Sequence, residues 1–119
     1  MKGCGTSKIG ALVVIVAAAG LPAAWAQAPG VSSMLTIRGQ AFQPRTLTIP
    51  AGQQVKIVVK NDDALPAEFE SGDLNQEKVI PGGTALPVYI RPLKPGTYKF
   101  FNDFHPASTG TLVVEQPKR

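Results

Sequence analysis

Proline and glycine recur so densely beyond residue 26 that no helix of useful length fits between them. The chain carries 12 glycines and 11 prolines in 119 residues, and both types interrupt helices, one by backbone freedom and the other by its missing N–H. Between the breaks lie short runs alternating apolar and polar residues, the period-2 pattern of half-buried strands. Val55, Ile57 and Val59 mark it within 54–60, and Val58 on the other side adds partial burial on both faces. Strands are expected over 34–38, 46–49, 54–60, 79–80, 88–91, 98–101 and 111–115. Pro50-Ala51-Gly52 and Pro81-Gly82-Gly83 read as breaks, and Lys94-Pro95-Gly96 as a type II turn with glycine supplying the positive φ. Many short strands with frequent turn signals spell an all-β sandwich or barrel.

The first 26 residues read as a secretory signal. Lys2 and Lys8 supply the positive start, residues 9–19 form an apolar core, and Ala24-Trp25-Ala26 offers the small residues of a cleavage site before Gln27. That core is too short to span a bilayer, so no membrane span is expected after cleavage. Cys4 precedes the apolar core, which argues against a lipid anchor. The expected organisation is a signal over 1–26, a flexible leader over 27–33 and one β domain over 34–117, working in the periplasm.

Removing residues 1–26 leaves 119 less 26, or 93 residues, enough for a single domain. Removing Lys2 and Lys8 from the 12 basic residues leaves 10 against 8 acidic ones. The basic residues are scattered singly, so no nucleic-acid stripe is expected. The 93 residues contain no cysteine, hence no disulfide, thiol nucleophile or thiolate ligand. With one histidine, His105, there is no evident nucleophile–base pair for hydrolysis.

Three stretches, taken in order, resemble the cupredoxin family. Ala41-Phe42-Gln43-Pro44-Arg45-Thr46-Leu47-Thr48-Ile49-Pro50-Ala51-Gly52 is similar to that family's entry strands. Asn61-Asp62-Asp63-Ala64-Leu65-Pro66-Ala67 is similar to the loop that normally ends in the first histidine ligand. Leu93 through His105, then Gly110-Thr111-Leu112-Val113-Val114, looks like the strand, ligand loop and closing strand. The resemblance implies a Greek-key β-sandwich with copper at one end. A type 1 copper site needs two histidines and a cysteine thiolate. Here Ala67 stands at the first histidine position, Asn102 at the cysteine position, and the stretch Pro106–Gly110 holds no methionine. A type 1 electron-transfer site is therefore excluded.

Acidic residues cluster near those positions. Glu68 and Glu70 flank Phe69, and in an extended segment residues two apart share a face, about 7 Å apart at Cα. Asp103 and His105 repeat the spacing in the second loop, and Glu77 stands within reach of the first. The candidate metal ligands are Glu68, Glu70, Glu77, Asp103 and His105. Carboxylates with one imidazole suit iron or copper outside a type 1 site. Each residue also has a plainer role: a solvated strand face for the glutamates, a turn for Asp103, a hydrogen bond for His105, a surface pair for Glu77 and Lys78. Pro66-Ala67-Glu68-Phe69-Glu70-Ser71 with Asp103-Phe104-His105-Pro106 resembles the cupredoxin-like components of bacterial ferrous-iron uptake systems, of the EfeO type or FtrB-like. That resemblance implies a periplasmic module beside an iron-binding protein and an iron permease. Iron oxidation would need an electron acceptor, so a ferroxidase role is expected only within an assembly. The competing expectation is a metal-free docking domain, with Phe101 or Phe104 in an exposed patch.

Overall fold

The computed structural model describes residues 30–117. The expected signal, and residues 27–29 of the expected leader, lie outside the described residues. The fold is all-β and single-domain. The nine strands of the described residues are β1 (Val31–Arg38), β2 (Ala41–Gln43), β3 (Thr46–Pro50), β4 (Val55–Asn61), β5 (Ala67–Ser71), β6 (Gln76–Ile80), β7 (Ala85–Ile90), β8 (Gly96–Asn102) and β9 (His105–Glu115).

They form two sheets, a four-stranded one in the order β2-β1-β4-β7 and a five-stranded one in the order β3-β9-β8-β5-β6. The alternation that predicts strands also assigns their faces. In β4, Val55, Ile57 and Val59 are buried while Lys56 and Lys60 are exposed. In β5, Ala67, Phe69 and Ser71 point inward, which turns Glu68 and Glu70 to the outer face of the five-stranded sheet. Phe42, Phe69 and Phe100 meet between the sheets. Phe42 stands edge-on to both others, at 6.2 Å from Phe69 and 4.9 Å from Phe100, and the latter two stack at 5.1 Å. Gly110 is required beside this trio, because a Cβ there would run into the Phe100 ring.

Several expected boundaries shift. β1 begins at Val31, not Met34, because Val31, Ser32 and Ser33 pair with Val55, Lys56 and Ile57 of β4. These three residues belong to the sheet rather than to a leader. β6 and β7 extend upstream of the expected 79–80 and 88–91, drawn out by pairing with β5 and β4. Gly96 has φ 158°, far from the value near 80° of a type II turn, and opens β8 opposite Val114. The stretch 106–110 is not a plain loop. Asn102 pairs with His105 and Phe101 with Thr109, so residues 106–108 form an irregularity within the long β9. Among the described residues, no helix is long and apolar enough to cross a membrane.

Candidate metal centre

The site is a small grid on the outer face of the five-stranded sheet. Antiparallel register puts Glu68 opposite Val79 and Glu70 opposite Glu77 on β6. On the other side Glu70 lies opposite Phe101 of β8, and the Asp103 N–H donates to the Glu68 carbonyl at 3.0 Å. Four of the six positions spanning β8, β5 and β6 are therefore acidic. Cross-strand neighbours on one face stand about 5 Å apart at Cβ, where like charges repel.

One carboxylate oxygen from each of Glu68, Glu70 and Asp103 lies within 4.8 Å of the others. Glu68 is 7% exposed although it faces outward. The ion pairs of the described residues join Asp62 to Arg38 and to Lys60, and neither reaches the grid. Burial first, then the charges of Glu77, Asp103 and Glu70, with a hydrogen bond to Glu77, push the Glu68 carboxyl above the usual glutamate range. Glu70 moves the same way, through burial, then the charges of Asp103 and Glu77 and a hydrogen bond to Asp103. A hydrogen bond to Glu68 partly opposes that rise. Burial and the neighbouring negative charges disfavour the anion, and a cation among the three carboxylates would offset them.

A buried asparagine holds the grid in place. The Asn102 side-chain oxygen accepts from the Glu68 N–H at 3.0 Å and the Phe104 N–H at 3.1 Å, while its amide donates to the Gln40 carbonyl at 3.4 Å. Gln40 is fixed in turn, since its N–H and that of Gly39 donate to the Asp63 carboxylate at 2.7 and 2.8 Å. The Asp63 N–H donates to Asn61, whose amide donates to the Leu65 and Ile80 carbonyls. This polar belt links the two sheets beside the site and orients Glu68 and Asp103. Sequence reasoning treats Asn102 only as an absent cysteine. The readable signal is an amide side chain at the end of an apolar strand, where a buried polar group must find partners.

Of the five candidate ligands, Glu68, Glu70 and Asp103 come together. Glu77 approaches Glu68 from β6 but stands outside the 4.8 Å trio. His105 does not join. Its Nδ1 lies 2.9 Å from the Ser108 hydroxyl, and it pairs with Asn102, which is turned inward. The rule that residues two apart share a face holds along a strand, whereas Asp103 and Phe104 form the turn of a hairpin. The copper-ligand positions also differ in place from the acidic trio. Ala67 and Asn102 face the core, and Glu68 and Asp103 each follow one residue later, on the other side of the sheet. A type 1 copper ion does not fit: Ala67 offers no donor atom, and both polar atoms of Asn102 already hold backbone partners.

An uncharacterised protein of Rickettsia prowazekii (strain Madrid E) is 35% identical over 80 residues, covering 67% of this chain and 64% of the relative's length. Among solved structures, a purple cupredoxin from Nitrosopumilus maritimus aligns with a TM-score of 0.56 and 24% identity, over 69% of this chain and 98% of that one. Amicyanin from Paracoccus versutus aligns at 0.57 and 23%, over 76% and 87%. Auracyanin from Roseiflexus castenholzii aligns at 0.58 and 16%, over 71% and 97%. At these identities the structural likeness speaks for the fold alone. The family model of the cupredoxin-like domain matches residues 8–114, and the chain therefore belongs to the cupredoxin-like domain family.

Proposed function

We propose that this protein is an exported metal-binding module that handles an iron or copper ion through surface carboxylates, in support of ferrous-iron uptake. The observation that carries the reading is the approach of Glu68, Glu70 and Asp103 to within 4.8 Å, with no ion pair to them among the described residues. Three converging anions are an arrangement that folding alone disfavours and a cation rewards. One solved relative is the Cu(I) form of an amicyanin variant, but the inward positions here lack the donors for type 1 copper. Carboxylate oxygens suit hard or borderline ions, among which we count iron and cupric copper. Export follows from the reading of residues 1–26 as a signal. The partners implied are a periplasmic iron-binding protein and an iron permease, to which such a module would pass its ion.

The test is calorimetric titration with ferrous iron and, separately, cupric copper, alongside a Glu68→Ala, Glu70→Ala, Asp103→Ala variant. Saturable one-to-one binding by the parent and none by the variant is the expected result. Binding of equal strength in both would remove the acidic trio from any role. A second reading, a docking domain, draws on the exposure of Leu65 (61%) and Phe104 (48%) in the loop before β5 and the turn after β8. It predicts capture of a partner that Leu65→Ser and Phe104→Ser abolish and that chelators leave intact.

A further inference from the structure

We infer that this protein associates as a dimer of identical chains, joined antiparallel through the uncovered edge of β1 at Ser32 and Met34. The inference stands apart from the metal-binding reading, since that edge belongs to the four-stranded sheet and the acidic grid to the other.

Backbone direction carries the first step. Along a strand, the N–H and C=O of successive residues point to opposite sides. Ile37 turns towards β4, because its carbonyl accepts from the Asp62 N–H at 2.9 Å, next to its register partner Asn61. By alternation Val31, Ser33 and Leu35 also turn towards β4, while Ser32, Met34 and Thr36 turn away. On that side Thr36 and Arg38 meet Gln43 and Ala41 of β2, and β2 reaches no further along β1 than Thr36. Among the described residues, no strand pairs with Ser32 or Met34 on that side.

The other edges are guarded, and the contrast carries the second step. An exposed edge templates pairing with another chain unless proline, charge, brevity or cover blocks it. The Asn61 N–H donates to the Thr84 carbonyl, so β7 turns Ala85, Pro87 and Tyr89 away from β4. Pro87 has no N–H to offer, and the Gln76 side chain caps the Tyr89 carbonyl at 2.9 Å. β6 carries the exposed charges of Glu77 and Lys78. β3 follows Pro44 and ends on Pro50, and β2 has three residues. The open half of β1 has none of these defences. Ser32 is exposed, Met34 is 57% exposed, and Val31 through Ile37 holds no charge or proline.

Symmetry names the occupant. A two-fold axis sets a strand antiparallel to its own copy and closes at two chains. An axis at Ser33 puts Ser32 opposite Met34 of the second copy, and Met34 opposite its Ser32. The outward groups of both residues then form hydrogen-bonded pairs, each exchanging both N–H···O bonds. Such an axis also brings each residue near its own copy, where like charges would repel, and this stretch carries none.

The experiment follows the purified protein by sedimentation velocity from about 1 μM to about 1 mM, a range that spans weak to moderate affinity. The expected result is a reversible dimer, with the Ser32 and Met34 amides exchanging hydrogen more slowly as concentration rises. Met34→Pro deletes an N–H that faces away from β4, a position where an edge strand tolerates proline. It should be monomeric with a Tm close to the parent's. Met34→Lys places charge on the edge and should weaken the dimer about tenfold or more. Thr48→Lys, on the edge of β3, should leave the dimer unchanged. A parent that stays monomeric throughout would overturn the inference, as would a dimer that survives both Met34 variants or is lost in Thr48→Lys. Growth beyond two chains would overturn the two-fold pairing. If Met34→Pro fails to fold, Met34→Lys decides.

Discussion

Asp62 and Glu68 lie six residues apart, one just after β4 and the other in β5, and the protein treats their carboxyls in opposite ways. Asp62 accepts a hydrogen bond from Arg38 at 2.9 Å and stands 3.4 Å from the Lys60 ammonium. Arg38 in particular, helped by Lys60 and opposed by partial burial, holds Asp62 below its ordinary value of 3.8. Glu68 meets no such partner and is pushed above its ordinary 4.5. Around Asp62 the charges are arranged as a folded surface prefers them. Around Glu68 four acids share one patch, and the fold supports them from beneath with a buried asparagine. Clustered like charge on an ordered frame is the feature on which the metal-binding proposal draws.

The support beneath the patch gives the largest expected effect. Asn102→Ala removes the acceptor for two backbone N–H groups, those of Glu68 and Phe104. Urea denaturation should show a loss of about 1–3 kcal/mol. A loss below a few tenths would mean that the belt contributes little to holding Glu68 and Asp103.

The contrast itself can be reversed by giving the patch the cation it lacks. Glu77→Lys places an ammonium opposite Glu70 and beside Glu68. The Tm should rise, and ion affinity should fall. An unchanged Tm would mean that the acids do not repel appreciably in solution.

Acidification should separate the two regions without mutation. The carboxyls of Glu68 and Glu70 are raised in the fold, so their penalty is absent below about 4.5 and grows as pH rises through the raised values. For Asp62 the sign is opposite: its contribution is present above 3.8 and is lost as pH falls through the lowered value. Metal-free protein should therefore become more stable from neutral pH down towards 4.5 on account of the patch, then lose the Asp62 contribution below 3.8. Thermal melts of the parent and a Glu68→Gln, Glu70→Gln variant in chelator should differ most near neutral pH and converge towards 4.5. A constant gap would contradict the assignment.

The smallest effect belongs to the paired region. Asp62→Asn breaks ion pairs whose Arg38 side chain is 64% exposed, and such pairs contribute little. The Tm should drop slightly at low salt and match the parent at about 1 M salt, where screening shortens to a few ångströms.

How much of this was legible beforehand depends on the range over which each feature is decided. The strand class and the common face of Glu68 and Glu70 are local properties, read from alternation around Phe69. The start of β1 at Val31 was not legible, because Ser32 and Ser33 carry no apolar pattern and become strand only by pairing with β4. Asp103 and His105 look equivalent in sequence, at matching distances from Asn102 and Phe104. A hairpin turn separates them, sending one to the patch and leaving the other with Ser108.

The amino-acid sequence by itself determined an all-β chain, the absence of type 1 copper chemistry from its cysteine-free β domain, and the two glutamates on one strand face. Those follow from residue type and a period of two. Only the tertiary structure decided that Asp103 completes the acidic trio, that Asn102 anchors it, and that it lies outside the sheet rather than at the inward copper positions. The physical reason is register. Which strand lies beside which, and in what alignment, is set by pairing and packing between residues far apart in the chain, and no local pattern encodes it.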